Sequence, residues 1–144
     1  MISTGHWARS GCEGAVPQCG DDARGVTVRD SVSYLPEQSE PQRGRWFWAY
    51  HIRLENDGPG VVQLLTRHWI ITDGHGARHT VEGAGVVGEQ PLIEQGASFD
   101  YVSGCPLATP TGAVRGSYRM VDDTGAVFEV AIPHFSLSAP AVIL

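Results

Sequence analysis

The sequence contains no lysine: all ten basic residues are Arg. Set against sixteen Asp and Glu, they leave a formal net charge of −6. A chain of that sign repels phosphate backbones, which argues against a general nucleic-acid binder. Cysteine is scarce. Cys12, Cys19 and Cys105 cannot all pair with one another, and Cys12-x6-Cys19 matches no common zinc spacing, so reduced thiols of a cytoplasmic protein are expected. No run approaches the ~18 consecutive apolar residues of a membrane helix, so no role in or across a membrane is expected of the chain itself. The N-terminal stretch MISTGHWARSGCEGAVPQC lacks the apolar core of a secretory signal, which again points to the cytoplasm. Sustained helical spacing is absent too. Eighteen Gly and nine Pro argue against long helices and for short strands joined by turns.

What is present fits a single globular domain. The chain has 144 residues, of which 42 % are apolar, enough for one core without staples. Residues 1–23 show no periodicity and hold Gly5, Gly11, Gly14 and Gly20; a disordered tail is expected there, with the folded domain spanning 24–144. Val26, Val28, Val32 and Tyr34 then alternate with mostly polar neighbours, a strand signal. The segment 35–44 is a loop broken by Pro36 and Pro41. The clearest strand is Trp46–Asn56, with Trp46, Trp48, Tyr50, Ile52 and Leu54 on one face and Phe47, Ala49, His51, Arg53 and Glu55 on the other; a period of two over that length does not fit a helix.

Further strands are expected over 61–65, 67–72, 78–82, 99–103, 114–121 and 127–132, around a connector at 104–111. Their turns fall at Asn56-Asp57-Gly58-Pro59-Gly60, Asp73-Gly74-His75-Gly76 and Asp122-Asp123-Thr124-Gly125, where Gly, Asn and Asp tolerate positive φ. The apolar, Pro-containing C-terminal stretch 139–144 is expected to form a last edge strand, with an exposed docking peptide as the alternative. About seven or eight antiparallel strands with turns every 8–12 residues predict an all-β fold of two sheets packed face to face.

Several ordered motifs are distinctive. Val62-Gln63-Leu64-Leu65 precedes Arg67 and Trp69, and Thr72, Gly74 and Gly76 follow. Val81 to Pro91 reads VEGAGVVGEQP, and Tyr101, Ser103-Gly104, Thr109-Pro110 and Gly112 come next. Gly116-x-Tyr118-x-Met120 and Ile132-Pro133 with Phe135 complete the series. From about Val26 onward the chain resembles the bacterial ApaG family. The resemblance implies an immunoglobulin or fibronectin type III-like β-sandwich. It also implies a link to cobalt and magnesium resistance and to diadenosine tetraphosphate metabolism, the latter through the family's operon. Similar domains in eukaryotic F-box and polymerase-associated proteins look like interaction modules. The family offers no agreed catalytic residues, so none is carried over. The sequence departs from it in the long tail and in Cys105, which stands where a small apolar residue is more usual.

The chemistry-bearing candidates are few. Gly83, Gly85 and Gly88 form G-x-G-x-x-G. The strand that should precede this motif in a dinucleotide fold is expected, but Pro91 and Gln95-Gly96 leave no room for the helix that should follow. A helix-free nest of backbone N–H groups for a pyrophosphate-containing ligand stays open, beside the plainer reading of glycines needed for tight turns. His68, His75 and His79 lie close in sequence. A turn centred on Gly74-His75 pairs residues 73 and 76. That places His68 opposite Val81 and His79 opposite Ile70, diagonal neighbours that could share a divalent cation, beside the plainer reading of ordinary surface or half-buried histidines. Asp122-Asp123 reads as turn chemistry, with a hard-cation pair as the alternative. No nucleophile–base set is present, and G-x-S-x-G is missing.

The expected function is therefore a non-enzymatic, cytoplasmic binding module without a cofactor. Its partner is expected to be another protein; the alternatives are a sensor that binds a pyrophosphate-containing ligand or a divalent cation through the Gly83–Gly88 loop, and, last, a metal-dependent phosphohydrolase using His68, His79 or Asp122. Exposed aromatic and Arg residues, such as Phe47 with Arg53, are candidate contacts. Open sheet edges would also permit a homodimer.

Overall fold

The computed structural model describes residues 24–140 and the backbone of 19–21. Among the described residues the chain forms nine strands: β1 (Cys19–Asp21), β2 (Val26–Tyr34), β3 (Trp46–Asn56), β4 (Val62–Asp73), β5 (Arg78–Ala84), β6 (Leu92–Ile93), β7 (Ser98–Leu107), β8 (Thr111–Asp122) and β9 (Val127–Ser138). One sheet has the order β1-β2-β3-β7, the other β5-β4-β8-β9 with β6 paired to the start of β4. All pairings are antiparallel. The fold is an all-β sandwich, as the alternation predicts. Among the described residues no helix is long and apolar enough to cross a membrane.

The inward positions of both sheets make one core. Val26, Val28, Trp48, Ile52 and Leu54 come from the first sheet; Leu64, Trp69, Tyr118, Met120, Val130 and Phe135 come from the second. Each buried aliphatic or aromatic side chain contributes on the order of 2 kcal/mol. Trp69 is the hub, with its ring 5.1 Å from Tyr50 and 6.2 Å from both Tyr118 and Phe135. The opposite face of β3 carries ion pairs instead. Arg53 bonds Glu55 at 2.9 Å, Arg29 approaches the same carboxylate at 3.0 Å, and His51 meets Asp100 at 3.2 Å. Arg53 is thus engaged within the sheet, and Phe47 lies over Gly104 of the neighbouring strand.

Several boundaries differ from those expected, for physical reasons. The strands expected at 61–65 and 67–72 are one strand, β4. The break expected at Thr66 is a bulge, where the register with β8 shifts between Leu64 and Thr66. The expected connector at 104–111 contributes Gly104–Leu107 to β7. Pro106 is tolerated because β7 is an edge strand, where one row of N–H groups needs no partner. β9 runs on past Pro133, likewise at an edge, and the register between Val114 and Gly116 shifts there. Cys19–Asp21, inside the segment expected to be a tail, pairs with Thr27–Arg29; residues 1–18 and 22–23 lie outside the described residues. At the other end Ala139 donates its N–H to Pro110 O at 2.8 Å, and residues 141–144 of the expected edge strand lie outside the description.

Candidate functional site

The β4–β5 hairpin carries the residues singled out from the sequence, and its register decides what they can do. The turn is one residue longer than expected. Asp73 pairs with Ala77 across Gly74-His75-Gly76, with Asp73 N donating to Ala77 O at 2.9 Å and Gly76 N to Asp73 O at 3.0 Å. The Asp73 side chain accepts from the N–H groups of His75 and Ala77, both at 2.9 Å, and Gly76 takes φ +87°. An Asp that caps its own turn and a Gly in the left-handed region select this longer loop.

The consequence is a correction. His68 lies opposite Glu82, and His79 opposite Ile71. A one-residue change of register sends side chains to the other face, so His68 and His79 stand on opposite faces of the sheet and do not share a cation. His68 Nε2 sits 3.3 Å from Glu82 on the outer face, while His79 faces the space between the sheets. Among the described residues no group of three or more His, Cys, Asp or Glu is placed to hold a metal ion. Asp122 is a turn residue: its Oδ1 accepts from Thr124 N, Thr124 Oγ1 and Ala126 N. The Thr124 hydrogen bond is the chief cause that holds its carboxyl below the usual range.

The three glycines of the G-x-G-x-x-G stretch each have a separate structural reason. Gly88 supplies a positive φ of +82° in the hairpin turn Val86–Glu89, closed by Val86 N to Glu89 O at 2.8 Å and Glu89 N to Val86 O at 2.9 Å. Gly85 also has positive φ, +68°, and a Cβ there would run into the carbonyl oxygen of Glu89. The N–H of Gly85 donates to Leu65 O at 2.8 Å. The N–H groups of Gly85, Val86 and Glu89 therefore bond carbonyls of the protein, which leaves the loop short of the successive free donors that an anion nest requires. Gly83 is a strand residue paired with Arg67. A Cβ at Gly83 would stand 3.1 Å from Arg67 Nη2 and 3.3 Å from its Cζ. The missing side chain leaves room for the guanidinium.

Arg67 is the centre of the candidate site. It occupies an inward position on β4 beside Trp69, and its side chain reaches across β5 over Gly83. Its Nη1 donates to Ala84 O at 3.1 Å and Gly85 O at 2.8 Å. These bonds use both Nη1 hydrogens and leave the Nε–Nη2 edge without a protein partner among the described residues. That edge offers two parallel donors, the fork that matches a carboxylate or phosphate.

Around Arg67 the sandwich is open. The edge strands β5 and β7 bound a cleft with two lobes, about 460 Å³ and about 400 Å³. Tyr50, Trp69 and Ser103 line both lobes. Ile71, His79, Val81 and Cys105 add to the larger, and Val86, Val87 and Tyr101 to the smaller. In a chain of net charge −6 the described residues lining these lobes include Arg67 and His79 and no Asp or Glu, while Arg67 also borders an adjoining pocket with Glu82 and Glu129. Val81 and Val87, 39 % and 55 % exposed, stand at the rim of the cleft.

Among the described residues the cleft presents no activated nucleophile. Cys105 is buried, and burial pushes its thiol up to about 11, the reverse of what a nucleophilic cysteine needs. Ser103 lines the cleft beside Tyr50, whose phenol burial raises. At the cleft floor Tyr101 and Tyr118 share a 2.6 Å hydroxyl–hydroxyl bond. Burial raises both phenols. Behind them lies Asp30, 5 % exposed, whose Oδ2 has no hydrogen-bond partner among the described residues; burial pushes this carboxyl up to about 7. Reading the sequence for motifs overlooks Asp30. Its signal is positional, since it falls between Val28 and Val32 on the buried alternation of β2. Arg67 stands out in the sequence only as part of the motif with Trp69; its reach over Gly83 depends on the β4–β5 register.

Known proteins give this geometry a family. The sequence profile of the ApaG domain matches residues 36–122. Protein ApaG of Rhodospirillum centenum is 54 % identical over 115 residues, which is 80 % of this chain and 87 % of that protein. Protein ApaG of Pseudomonas aeruginosa is 51 % identical over 123 residues, covering 85 % and 98 %. The crystal structure of the ApaA protein from Bordetella pertussis superposes with a TM-score of 0.79 at 46 % identity, over 81 % of this chain and 95 % of the other. The chain belongs to the ApaG family.

Proposed function

We propose that this ApaG-domain protein is a non-enzymatic, cytoplasmic binding module, and that it binds through the cleft between β5 and β7. The observation that carries this reading is the Arg67 guanidinium. Its Nε–Nη2 edge has no partner among the described residues, and Arg67 lines a cleft of aromatic and apolar side chains in which those residues include no acid. An apolar concavity with one convergent charged group is the usual form of a binding site. The raised Cys105 thiol favours binding over catalysis. On this reading the link to cobalt and magnesium tolerance runs through what the cleft recruits.

A second reading, a sensor for a pyrophosphate-containing ligand, gains support from the same cation. Arg67 lies against the carbonyl side of the Gly83–Gly88 stretch and could hold a phosphate beside the loop. An amide NMR titration of the full chain with inorganic pyrophosphate and with diadenosine tetraphosphate, each with and without magnesium, tests both readings. Saturable shifts at Arg67 and 84–88 support the sensor. Turnover of either compound, abolished by Arg67→Gln, would overturn the non-enzymatic reading.

A further inference from the structure

We propose that the free edge of β5 takes an extended peptide of a partner protein as an added strand, with a carboxylate of that peptide on the Nε–Nη2 edge of Arg67. The inference rests on the binding-module reading above and names its partner class. Among the described residues β5 ends its sheet and pairs with β4 alone. Its residues are exposed except for the half-buried Gly83. It carries no Pro, and its charged residues Arg78 and Glu82 leave Thr80–Val81 and Gly83–Ala84 uncharged along the edge. An edge of this kind recognises peptides by backbone pairing, and neighbouring side chains supply specificity.

Arg67 supplies that specificity because Gly83 lets it through. On β4 alone the guanidinium would lie one strand away from the edge. Lying over Gly83, it comes within one strand spacing, about 4.8 Å, of a peptide added to β5. The residue of that peptide opposite Gly83 then points its side chain toward the guanidinium. Residues two positions away lie opposite Val81 on the same face of the sheet. The structure therefore specifies an acidic residue and an apolar residue at i and i+2 (or i and i−2). The number of donors decides between anions. One guanidinium, with Nη1 already bonded to two carbonyls, offers a single two-donor edge. That edge matches one monoanionic carboxylate and leaves most of a polyphosphate uncompensated in an apolar cleft.

The test is selection from a random decapeptide phage library on the immobilised full chain, followed by amide NMR with the selected peptide. Selected sequences are expected to carry Asp or Glu two positions from an apolar residue. Saturable shifts are expected along residues 78–84. Replacing the peptide's acid by its amide, Arg67→Gln, and Gly83→Val are each expected to weaken binding at least about tenfold. Gly83→Val fills the guanidinium seat where only the far end of a flexible side chain must move, so it tests the geometry if Arg67→Gln misfolds. Identical selections on wild type and Arg67→Gln, or selected peptides without an acid, would overturn the proposal. A concentration-dependent dimer joined through β5 would overturn it in favour of a second copy as the occupant. Saturable shifts with inorganic pyrophosphate and no acidic selection would also overturn it, while leaving the cleft as the binding site.

Discussion

Asp30 gives a prediction that can be worked through in numbers. It sits 5 % exposed in the core, and its Oδ2 has no hydrogen-bond partner among the described residues. Burial raises its pKa from an ordinary 3.8 to about 7. Folding thus favours the protonated acid, and between pH 4 and 7 the native state binds more protons than the unfolded chain. Stability therefore falls as pH rises through that window and levels off above it. At ~1.36 kcal/mol per pH unit of displacement, the charged form costs about 4 kcal/mol at pH 8, of which about 2–3 kcal/mol is lost between pH 5 and pH 8. Asp30→Asn keeps the shape and removes the charge. Urea denaturation of both proteins at pH 5, 6, 7 and 8 should show wild type losing those 2–3 kcal/mol relative to the variant. At pH 8 the variant should melt about 10 °C higher. Histidine titration is common to both proteins and cancels in the difference. If wild type and Asp30→Asn lose stability in parallel from pH 5 to pH 8, Asp30 is not a buried acid with a raised pKa.

Other perturbations follow from the same geometry. Val87 holds φ +42° in the 86–89 turn while more than half exposed, so Val87→Asn should stabilise the protein by about 1 kcal/mol in urea melts. Gly85→Ala should cost more than about 2 kcal/mol, because positive φ and the Glu89 carbonyl both oppose a Cβ; Gly83→Ala should cost under about 1 kcal/mol, since only the Arg67 guanidinium must move. Tyr118→Phe deletes a partner of the 2.6 Å Tyr101 hydroxyl bond and should cost about 1–2 kcal/mol. With Cys12 and Cys19 replaced by Ser, the buried Cys105 thiol should resist a disulfide reagent at pH 8 and react fully only on denaturation; fast labelling of the folded protein would contradict its burial.

The sequence by itself determined the fold class and most strand positions. Period-two alternation and turn chemistry are local: Trp46 to Asn56 can bury Trp48, Ile52 and Leu54 together only as a strand, and Asp122-Asp123-Thr124-Gly125 turns the chain through its own side-chain hydrogen bonds. It also carried the family resemblance, in motifs such as VEGAGVVGEQP and Gly116-x-Tyr118-x-Met120. Tertiary structure decided everything that depends on register. Asp73 closed its turn with one residue more than a two-residue hairpin needs, and that residue separated His68 from His79. The glycine motif looked like a phosphate loop because the string G-x-G-x-x-G does not reveal which backbone N–H groups will be bonded; pairing with Leu65 and Glu89 engaged them. Arg67 and Gly83 are sixteen positions apart and became one feature only because the strands place them side by side. Burial of Asp30 was likewise fixed by the facing sheet, because a strand's own sequence names its two faces and the packing partner selects the one that loses water.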